Sequence, residues 1–318
     1  MPKEDTVNTA RAIFARAGFD VSSSIHLRSI CFTFAARRDD VLTIVKVLTN
    51  VDAFTRHNAD ELKTISEALG GNPLVIGEGT GAGPLEDGIV YTRFKIPIIS
   101  VKTLSDHLLE DAPPCIFAAP GGLYVKLDGE QLRSIRAERN ISLGTLADVA
   151  GVSRRSIQMY ETGMGAMIDA ALNLEEYLET ALIEPIDPFT YGKNDRDQER
   201  SAAEPSALTQ TGTSLDHMIT IGYTITPIVR SPFDAVSMDK SHGVVVLTGV
   251  DSSDTALVER AMAASELSNM ANRPAVIIVK KKPKDNIAST ALVSDDELQR
   301  IDDISVLNDI IYSRSTRR

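Results

Sequence analysis

The segment from Leu132 to Gly163 constrains the fold more than any other part of this 318-residue chain. Its apolar residues recur at helical intervals in three short runs. The second and third runs each follow a serine, Ser142 and Ser153, that can cap a helix. Gly151 lies where the second run must end, because glycine accepts the left-handed conformation of a helix terminus. The pattern predicts three short helices joined by tight turns.

The third predicted helix has one apolar face and one polar face. Ile157 and Tyr160 lie three residues apart and are expected to pack against the preceding helices. The residues left facing outward are Arg154, Arg155, Ser156, Gln158 and Met159. Arginine and glutamine at the start of a helix can reach base edges and phosphates in a DNA major groove. The sequence therefore predicts a helix-turn-helix, and the alternative is an ordinary three-helix core with incidental arginines.

Two sets of DNA contacts follow from this prediction. The residues expected to enter the major groove are Ser153, Arg154, Arg155, Ser156 and Gln158. The residues expected to contact phosphate and set the register are Arg136, Ser142 and Thr145. Arg155 is expected to pair with a guanine edge and Gln158 with an adenine, each giving about 1–3 kcal/mol of discrimination. Modules of this kind usually act as dimers on two half-sites, so we expect a homodimer on double-stranded DNA.

This segment resembles the Cro/repressor (Xre) type of helix-turn-helix. The matching residues are Leu132, Arg136, Ser142, Leu146, Ala147, Gly151, Val152, Ser153, Ile157, Tyr160, Glu161 and Gly163. The loop after Gly163 departs from that type, because it lacks the Pro-Ser pair often found there. A fourth helix is predicted over 167–182, with Pro185 and Pro188 ending it.

The net charge of −11 at first argues against a DNA-binding chain, but the charge is unevenly distributed. Residues 126–163 carry six basic and five acidic residues, a net charge of +1. The acidic excess therefore lies elsewhere, where it limits unspecific attraction to DNA phosphates. No apolar run approaches the roughly 20 residues of a membrane helix, and no signal-peptide block is present. We expect a cytoplasmic protein with no membrane partner.

The cysteines and histidines give no sign of a cofactor. Cys31 and Cys115 both lie in apolar stretches, so we expect buried free thiols rather than a disulfide. The five histidines are scattered, and no zinc-ligand spacing exists. No metal or other cofactor is predicted.

The regions on either side of the helix-turn-helix share one order of predicted elements. Each contains an aromatic-containing strand, a hairpin of two apolar strands, a helix, a buried strand, a short strand and a helix. The buried strands, 74–77 and 275–279, are continuous apolar runs, as in a sheet covered on both faces. We predict a duplicated α/β domain, and the alternative is convergent α/β patterning.

The strand-hairpin-helix-strand order resembles restriction-endonuclease-like domains, such as those of Holliday-junction resolvases. Those enzymes place an Asp on one hairpin strand and Glu-x-Lys on the next, where the acids hold Mg²⁺ and the Lys supports the attacking water. In the first region Lys46 takes the Lys position, but Ile44 takes the Glu position and the Asp position falls near Thr33 or Phe34. In the second region Asp234 matches the Asp, but the next strand has neither Glu nor Lys. An apolar side chain supplies no oxygen ligand, so both domains are expected to be inactive.

The predicted fold class is α/β, with two similar restriction-endonuclease-like α/β domains flanking an all-α helix-turn-helix domain. The predicted parts are a nuclease-like domain at 1–112, a β-hairpin connector at 113–129, the helix-turn-helix domain at 130–189, a linker at 190–214 and a second nuclease-like domain at 215–318. The connector contains a Gly-Gly turn between apolar runs, and the linker is polar and rich in Ser and Thr.

Basic residues outside the helix-turn-helix are candidate contacts to the DNA backbone. Lys46 is expected to be a surface or phosphate-facing lysine rather than a catalytic one. Lys280, Lys281 and Lys282 follow the second buried strand, either as a phosphate contact or as a solvated turn. The glycine-rich stretch 77–88 lacks the helix and the Gly-Lys-Ser/Thr of a phosphate-binding loop, so we predict a mobile surface loop.

The whole chain also resembles a family of archaeal transcriptional regulators of about this length. The resemblance is carried by residues 31–48, 121–163, 175–189 and 231–237. We predict a sequence-specific DNA-binding regulator of transcription that is not an enzyme. Two alternatives stay open: a structure-specific, Mg²⁺-dependent nuclease guided by the helix-turn-helix, and an antitoxin-like repressor whose flanking domains hold a protein partner.

Overall fold

The computed structural model describes residues 4–23, 30–190, 214–228, 230–251 and 257–315. Apart from its two end residues, the predicted linker 190–214 lies outside the described residues. The helices are α1 (Glu4–Arg16), α2 (Arg56–Leu69), α3 (Val101–Leu109), α4 (Gly129–Glu138), α5 (Leu143–Ala150), α6 (Arg154–Tyr160), α7 (Ile168–Leu178), α8 (Ser214–Thr220), α9 (Leu257–Ala271), α10 (Asp295–Leu298) and α11 (Ile304–Ser315).

All strands except β10, which lies between α6 and α7, fall on one side or the other of the helical segment α4–α7. They are β1 (Asp20–Val21), β2 (Phe34–Arg38), β3 (Val41–Asn50), β4 (Asn72–Thr80), β5 (Gly83–Pro84), β6 (Ile89–Arg93), β7 (Ile96–Ile99), β8 (Ile116–Ala119), β9 (Gly122–Leu127), β10 (Ala166–Met167), β11 (Ile183–Glu184), β12 (Thr224–Pro227), β13 (Ala235–Asp239), β14 (Val244–Asp251), β15 (Ala275–Val279), β16 (Asn286–Ile287) and β17 (Thr290–Ser294).

The internal contacts of the chain divide it into two units. The first consists of described residues within 1–17, 48–54 and 74–195, and the second of those within 18–47, 55–73 and 196–318. Strand β3 passes from the second unit into the first at Leu48. The N-terminal α/β region therefore contributes to both units.

In the first unit, strands follow the order β4-β7-β6-β8-β9-β10, with β11 also paired to β9. The pairs β4–β7 and β6–β8 are parallel, whereas β6–β7 and β8–β9 are antiparallel. The hairpin β8–β9 turns at Gly121, whose φ is 99°, which confirms the predicted hairpin between the two regions. Because β10 and β11 both pair with β9, this strand joins the helical segment to the sheet.

The fourth helix of the helical segment is shorter than the predicted span 167–182. It ends at Leu178, where Glu179 turns the chain with a φ of 50°. The Glu175 carboxylate accepts hydrogen bonds from the backbone N–H groups of Leu182 and Ile183, at 2.6 and 2.8 Å. These bonds lead the chain into β11, so tertiary pairing ends the helix before either downstream proline is reached.

The second unit contains the antiparallel strands β1, β2 and β3, the helix α2 and a six-stranded sheet. That sheet has the order β12-β13-β14-β15-β17-β16. Its first three strands are antiparallel, β14–β15 and β15–β17 are parallel, and β16 is antiparallel to β17. All five residues of β15 are buried, which agrees with the continuous apolar run predicted for it.

The two sheets repeat one topology, as the sequence predicted. The strand order β1-β2-β3-β4-β7-β6 is matched position by position by β12-β13-β14-β15-β17-β16. In each set a helix connects the third strand to the fourth: α2 connects β3 to β4, and α9 connects β14 to β15. The fourth strand then pairs in parallel with its neighbour in the sheet, β4 with β7 and β15 with β17. The fold class is therefore α/β, with sheets at both ends of the chain and a mainly helical segment between them; the segment is not all-α as predicted, because the short strand β10 lies within it and pairs with β9.

The glycine-rich stretch 77–88 is a β-hairpin and not a surface loop. Strand β5 pairs antiparallel with the end of β4, and the Gly81 N–H donates to the Asp52 carboxylate at 2.7 Å. Gly77 packs tightly, since a Cβ atom there would lie 2.4 Å from Val51 Cγ1. Close packing of backbone against side chain accounts for this glycine, so no phosphate cradle is needed to explain it.

An ion-pair cluster anchors α11 in the second unit. Arg314 Nη1 donates to the Leu292 carbonyl at 2.8 Å and to the Glu297 carboxylate at 3.0 Å. Lys282 Nζ lies 3.3 Å from the same carboxylate. The hydrogen bond from Arg314 is the main cause that lowers the pKa of Glu297 from 4.5 to about 2.

We expect this cluster to make folding stability acid-dependent. Because the pKa of Glu297 is lower in the folded state, its ion pairs contribute their full stability above the unfolded pKa near 4.5. This contribution to the free energy of unfolding is lost as the pH falls towards 2. Glu297→Gln should lower the free energy of unfolding by about 1–2 kcal/mol at pH 7, and the difference from wild type should narrow below pH 4.5. Urea unfolding measured from pH 7 to pH 3 checks this, and a pH-independent difference would contradict it.

Candidate nucleic-acid interface

The helices α4 to α7 pack around one apolar core. Its fully buried members include Leu132, Leu146, Ile157, Ala171, Leu174 and Leu178. Tyr160 on α6 is 5% exposed and lies in the same cluster. Each helix thus contributes one face to the core, and the inward face of α6 is the one predicted from its spacing.

The turns between these helices are closed by the predicted caps. Ser142 Oγ accepts the Thr145 N–H at 3.0 Å, and Ser153 Oγ accepts the Ser156 N–H at 3.1 Å. Gly151 ends α5 with a φ of 65°. Side-chain caps satisfy backbone donors that a helix start otherwise leaves free, so these bonds fix where α5 and α6 begin. The start of α7 has no side-chain cap and is instead held by the pairing of β10 with β9.

The polar face of α6 is exposed. Arg154, Arg155 and Gln158 are exposed, and Ser156 is half-buried beside its cap. Met159 shares this outward face and is 37% exposed. An anchored helix with an open polar face can enter a DNA groove without disturbing its own core.

Arg136 lies apart from this face because it has a partner within the domain. Its Nη2 lies 3.1 Å from Glu161 Oε2, and the Glu161 side chain is 8% exposed. This hydrogen bond raises the pKa of Arg136. The pair ties α4 to the residue that follows α6, which gives Arg136 a structural role whether or not it also contacts phosphate.

The candidate lysines belong to the second unit, whereas the helix-turn-helix residues belong to the first. Lys46 is half-buried, and its Nζ donates to the Ile30 carbonyl at 3.1 Å. Burial lowers the pKa of Lys46. Lys280 and Lys281 are exposed, but Lys282 is held by Asp285 at 2.7 Å as well as by Glu297. Lys280 and Lys281 are therefore the lysines of this set whose side chains face solvent.

The nuclease-like positions are filled by apolar residues and ion pairs. Phe34 and Ile44 are fully buried apolar residues, and the Thr33 hydroxyl accepts the Val47 N–H at 3.0 Å, so these positions offer no carboxylate to a metal ion. In the second region the Asp234 carboxylate pairs with Arg260 at 2.6 Å. Within the described ranges, no group of three or more His, Cys, Asp or Glu side chains could hold a metal ion.

A buried carboxylate in the second unit was not found from the sequence. Glu61 on α2 is 7% exposed, and its nearest ionisable partners are His57 at 3.1 Å and Arg230 at 3.7 Å. Arg230 reaches it from a segment far away in the chain, so no local pattern marks the pair. A guanidinium facing this carboxylate already supplies positive charge, and it would repel a divalent cation there.

Both cysteines are free thiols, as predicted, but Cys115 is half-buried and not buried as expected. Cys31 is buried, and burial raises its pKa to about 12. A thiol with so high a pKa stays protonated and unreactive at neutral pH. Among the described helices, none combines the length and apolar character needed to cross a membrane.

Comparisons with known proteins agree with this geometry. A family model described as a PD-(D/E)XK superfamily domain matches residues 3–114, and a helix-turn-helix model matches residues 132–184. Together with the exposed face of α6, these matches define a DNA-binding helix-turn-helix protein that also carries a nuclease-superfamily domain.

Archaeal relatives match along the full chain. One from Methanocella arvoryzae is 37% identical over 100% of this chain and 98% of its own length. Others come from Methanosarcina mazei, at 38% over 99% and 98%, and from Natronomonas pharaonis, at 35% over 99% and 99%. Each is named as a "Putative HTH-type transcriptional regulatory protein". The chain belongs to this family of archaeal HTH-type regulatory proteins. No solved structure matches it.

Proposed function

We propose that the protein regulates transcription by reading a specific DNA sequence in the major groove with α6. The observation that carries this proposal is the division of α6 into two faces. Ile157 and Tyr160 anchor the helix in the core, while Arg155 and Gln158 are exposed on its other side. Arginine pairs with guanine and glutamine with adenine through two hydrogen bonds each, which is how side chains distinguish base pairs in that groove.

The protein is further proposed to act as a homodimer. Helix α6 has seven residues, so one copy reaches only a few base pairs. A second copy related by two-fold symmetry doubles the length of sequence that is read. The two half-sites would then lie about 10 base pairs apart, on one side of the duplex.

Selection of bound sequences from random duplex DNA tests both statements. The full chain should enrich a two-fold-symmetric motif whose halves are separated by about one helical turn. A single unrepeated motif would support sequence-specific reading and contradict the dimer. Equal recovery of all sequences would contradict the proposed function, and preference for branched DNA would favour a structure-directed role.

The nuclease-like regions are proposed to be platforms and not catalysts. The residues at the metal-binding positions, buried Phe34 and Ile44, leave them without carboxylate ligands, and Lys46 is bonded to a backbone carbonyl. Hydrolysis of a phosphodiester by this superfamily needs acids that hold Mg²⁺ beside the attacking water.

We therefore expect no cleavage of linear, supercoiled or four-way-junction DNA in the presence of millimolar Mg²⁺ or Mn²⁺. The measurement is an electrophoretic assay of end-labelled substrates, with an active nuclease as the positive control. Cleavage that persists in a Lys46→Ala variant would point to a contaminant. Cleavage that disappears in that variant would identify the N-terminal region as an enzyme.

A further inference from the structure

We propose that the adjacent arginines of α6 have different partners in DNA. Arg155 would contact bases, whereas Arg154 would contact the phosphate backbone from a position fixed by Gly144 on α5. The proposal rests on the proposed function, because it assigns roles within a DNA complex. It makes Gly144, which carries no side chain, a positioning residue for DNA binding.

The first argument is the close approach of Arg154 to α5. Gly144 is the second residue of α5, and an ideal Cβ atom on it would lie 3.1 Å from Arg154 Nε and 3.1 Å from Nη2. The same atom would lie 3.4 Å from Arg154 Cζ. The guanidinium therefore lies over the backbone of α5, in the space that a larger side chain at this position would fill.

The second argument is the direction in which each arginine leaves α6. Successive residues turn by about 100° around a helix axis. The direction midway between Ile157 and Tyr160 marks the buried side. Arg155 lies about 170° from that direction and Arg154 about 90° from it. Arg155 thus points straight away from the core, while Arg154 leaves the helix on the flank next to α5.

These directions correspond to different parts of a DNA duplex. When α6 lies in the major groove, the side chain opposite its anchored face points at the base edges. A side chain on the flank points towards the groove wall, which is lined by phosphates. Among the described residues no acidic side chain pairs with Arg154, so its charge is available to a phosphate. Phosphate contacts hold the register of a complex without reading its sequence.

The identity of residue 144 supports the assignment. Glycine within a helix is less favourable than alanine by roughly 0.5–1 kcal/mol, so a helical glycine needs another reason. Gly144 has ordinary helical geometry and no positive φ that would require it. The close approach of the guanidinium supplies a reason, since a methyl group at this position would require the guanidinium of Arg154 to move away from α5 by a few tenths of an ångström.

The test compares Arg154→Ala, Arg155→Ala and Gly144→Ala with wild type in DNA selection and in affinity measurements over a range of salt. Arg154→Ala should keep the wild-type motif and weaken operator binding and unrelated DNA binding by the same factor, roughly tenfold. Its slope of log affinity against log salt should fall by about 1. Arg155→Ala should instead change the motif at one position in each half-site.

Gly144→Ala tests the positioning role. It should reproduce the uniform loss of affinity in weaker form while leaving the thermal unfolding temperature unchanged or higher, because alanine favours the helix. The double variant Gly144→Ala/Arg154→Ala should bind no more weakly than Arg154→Ala alone, since both changes remove one contact.

The possible outcomes distinguish failure of this inference from failure of the proposed function. A changed motif for Arg154→Ala, with a motif present for wild type, would overturn the inference and leave the proposed function standing. Additive losses in the double variant would show that Gly144 does not position Arg154. A wild-type protein that enriches no motif would overturn the proposed function and the inference together.

Discussion

Replacing Arg155 with alanine is expected to weaken binding to the selected operator by about 1–3 kcal/mol, or roughly 5- to 150-fold. Arg155 is exposed at the point of α6 farthest from its buried residues, so no part of the domain core depends on it. The substitution should therefore reduce DNA affinity without destabilising the domain, and the preference for one base at the contacted base pair should weaken. Affinity measured at fixed salt on operators with each base at that position checks the result.

A matched control exists on α4. Arg133 is exposed and carries the same charge, but it lies outside α5 and α6. Arg133→Ala should change operator affinity by less than threefold, on the order of the effect of one distant surface charge. If both variants weakened binding equally and on all sequences, the interaction would be one of overall charge. The assignment of Arg155 to a base edge would then be wrong.

Local chemistry explains why the helix-turn-helix could be predicted in detail. Its caps, Ser142 and Ser153, act on backbone groups three residues away, and Gly151 acts on its own backbone conformation. Each of these effects is complete within a few residues, so the sequence alone contains the necessary information. The shared order of elements along the chain in the two α/β regions was also predictable, because it follows from a repeated pattern of apolar runs.

Contacts between distant parts of the chain explain what could not be predicted. The end of α7 depends on the Glu175 carboxylate, which accepts hydrogen bonds from the backbone N–H groups of Leu182 and Ile183, and on the pairing of β11 with β9. The buried Glu61 is matched by Arg230, which is far away in sequence. Arg136 pairs with Glu161, which lies 25 positions further along the chain. Local periodicity in the sequence does not predict any of these pairs.

The two α/β regions carry different residues at the positions where a nuclease of this superfamily would hold its metal. In the first region, apolar Ile44 fills one position, and Glu61 on the following helix faces Arg230. In the second, Asp234 remains but pairs with Arg260 on α9. In each case a guanidinium pairs with the carboxylate, so neither carboxylate needs a bound cation to neutralise its charge. This charge balance supports the proposal that both regions act as platforms while α6 recognises the DNA.

Truncating Ile157 to alanine is expected to destabilise the helix-turn-helix by about 2–5 kcal/mol and to abolish operator binding with it. Ile157 is fully buried between α6 and the rest of the domain core. Removing its outer carbons leaves a cavity that a seven-residue helix cannot refill by shifting, because its caps and Tyr160 hold it at both ends. Urea unfolding followed by circular dichroism measures the loss of stability.

The neighbouring outward residue provides the comparison. Met159 lies on the same helix but is 37% exposed, so Met159→Ala should change the free energy of unfolding by no more than about 0.5 kcal/mol. Ile157→Val, which removes a single methyl group, should lie between the two at about 0.5–1.5 kcal/mol. Equal stability of Ile157→Ala and Met159→Ala would mean that α6 is not anchored through Ile157. The outward direction assigned to Arg155 would then lose its basis, since that direction is defined by the buried face.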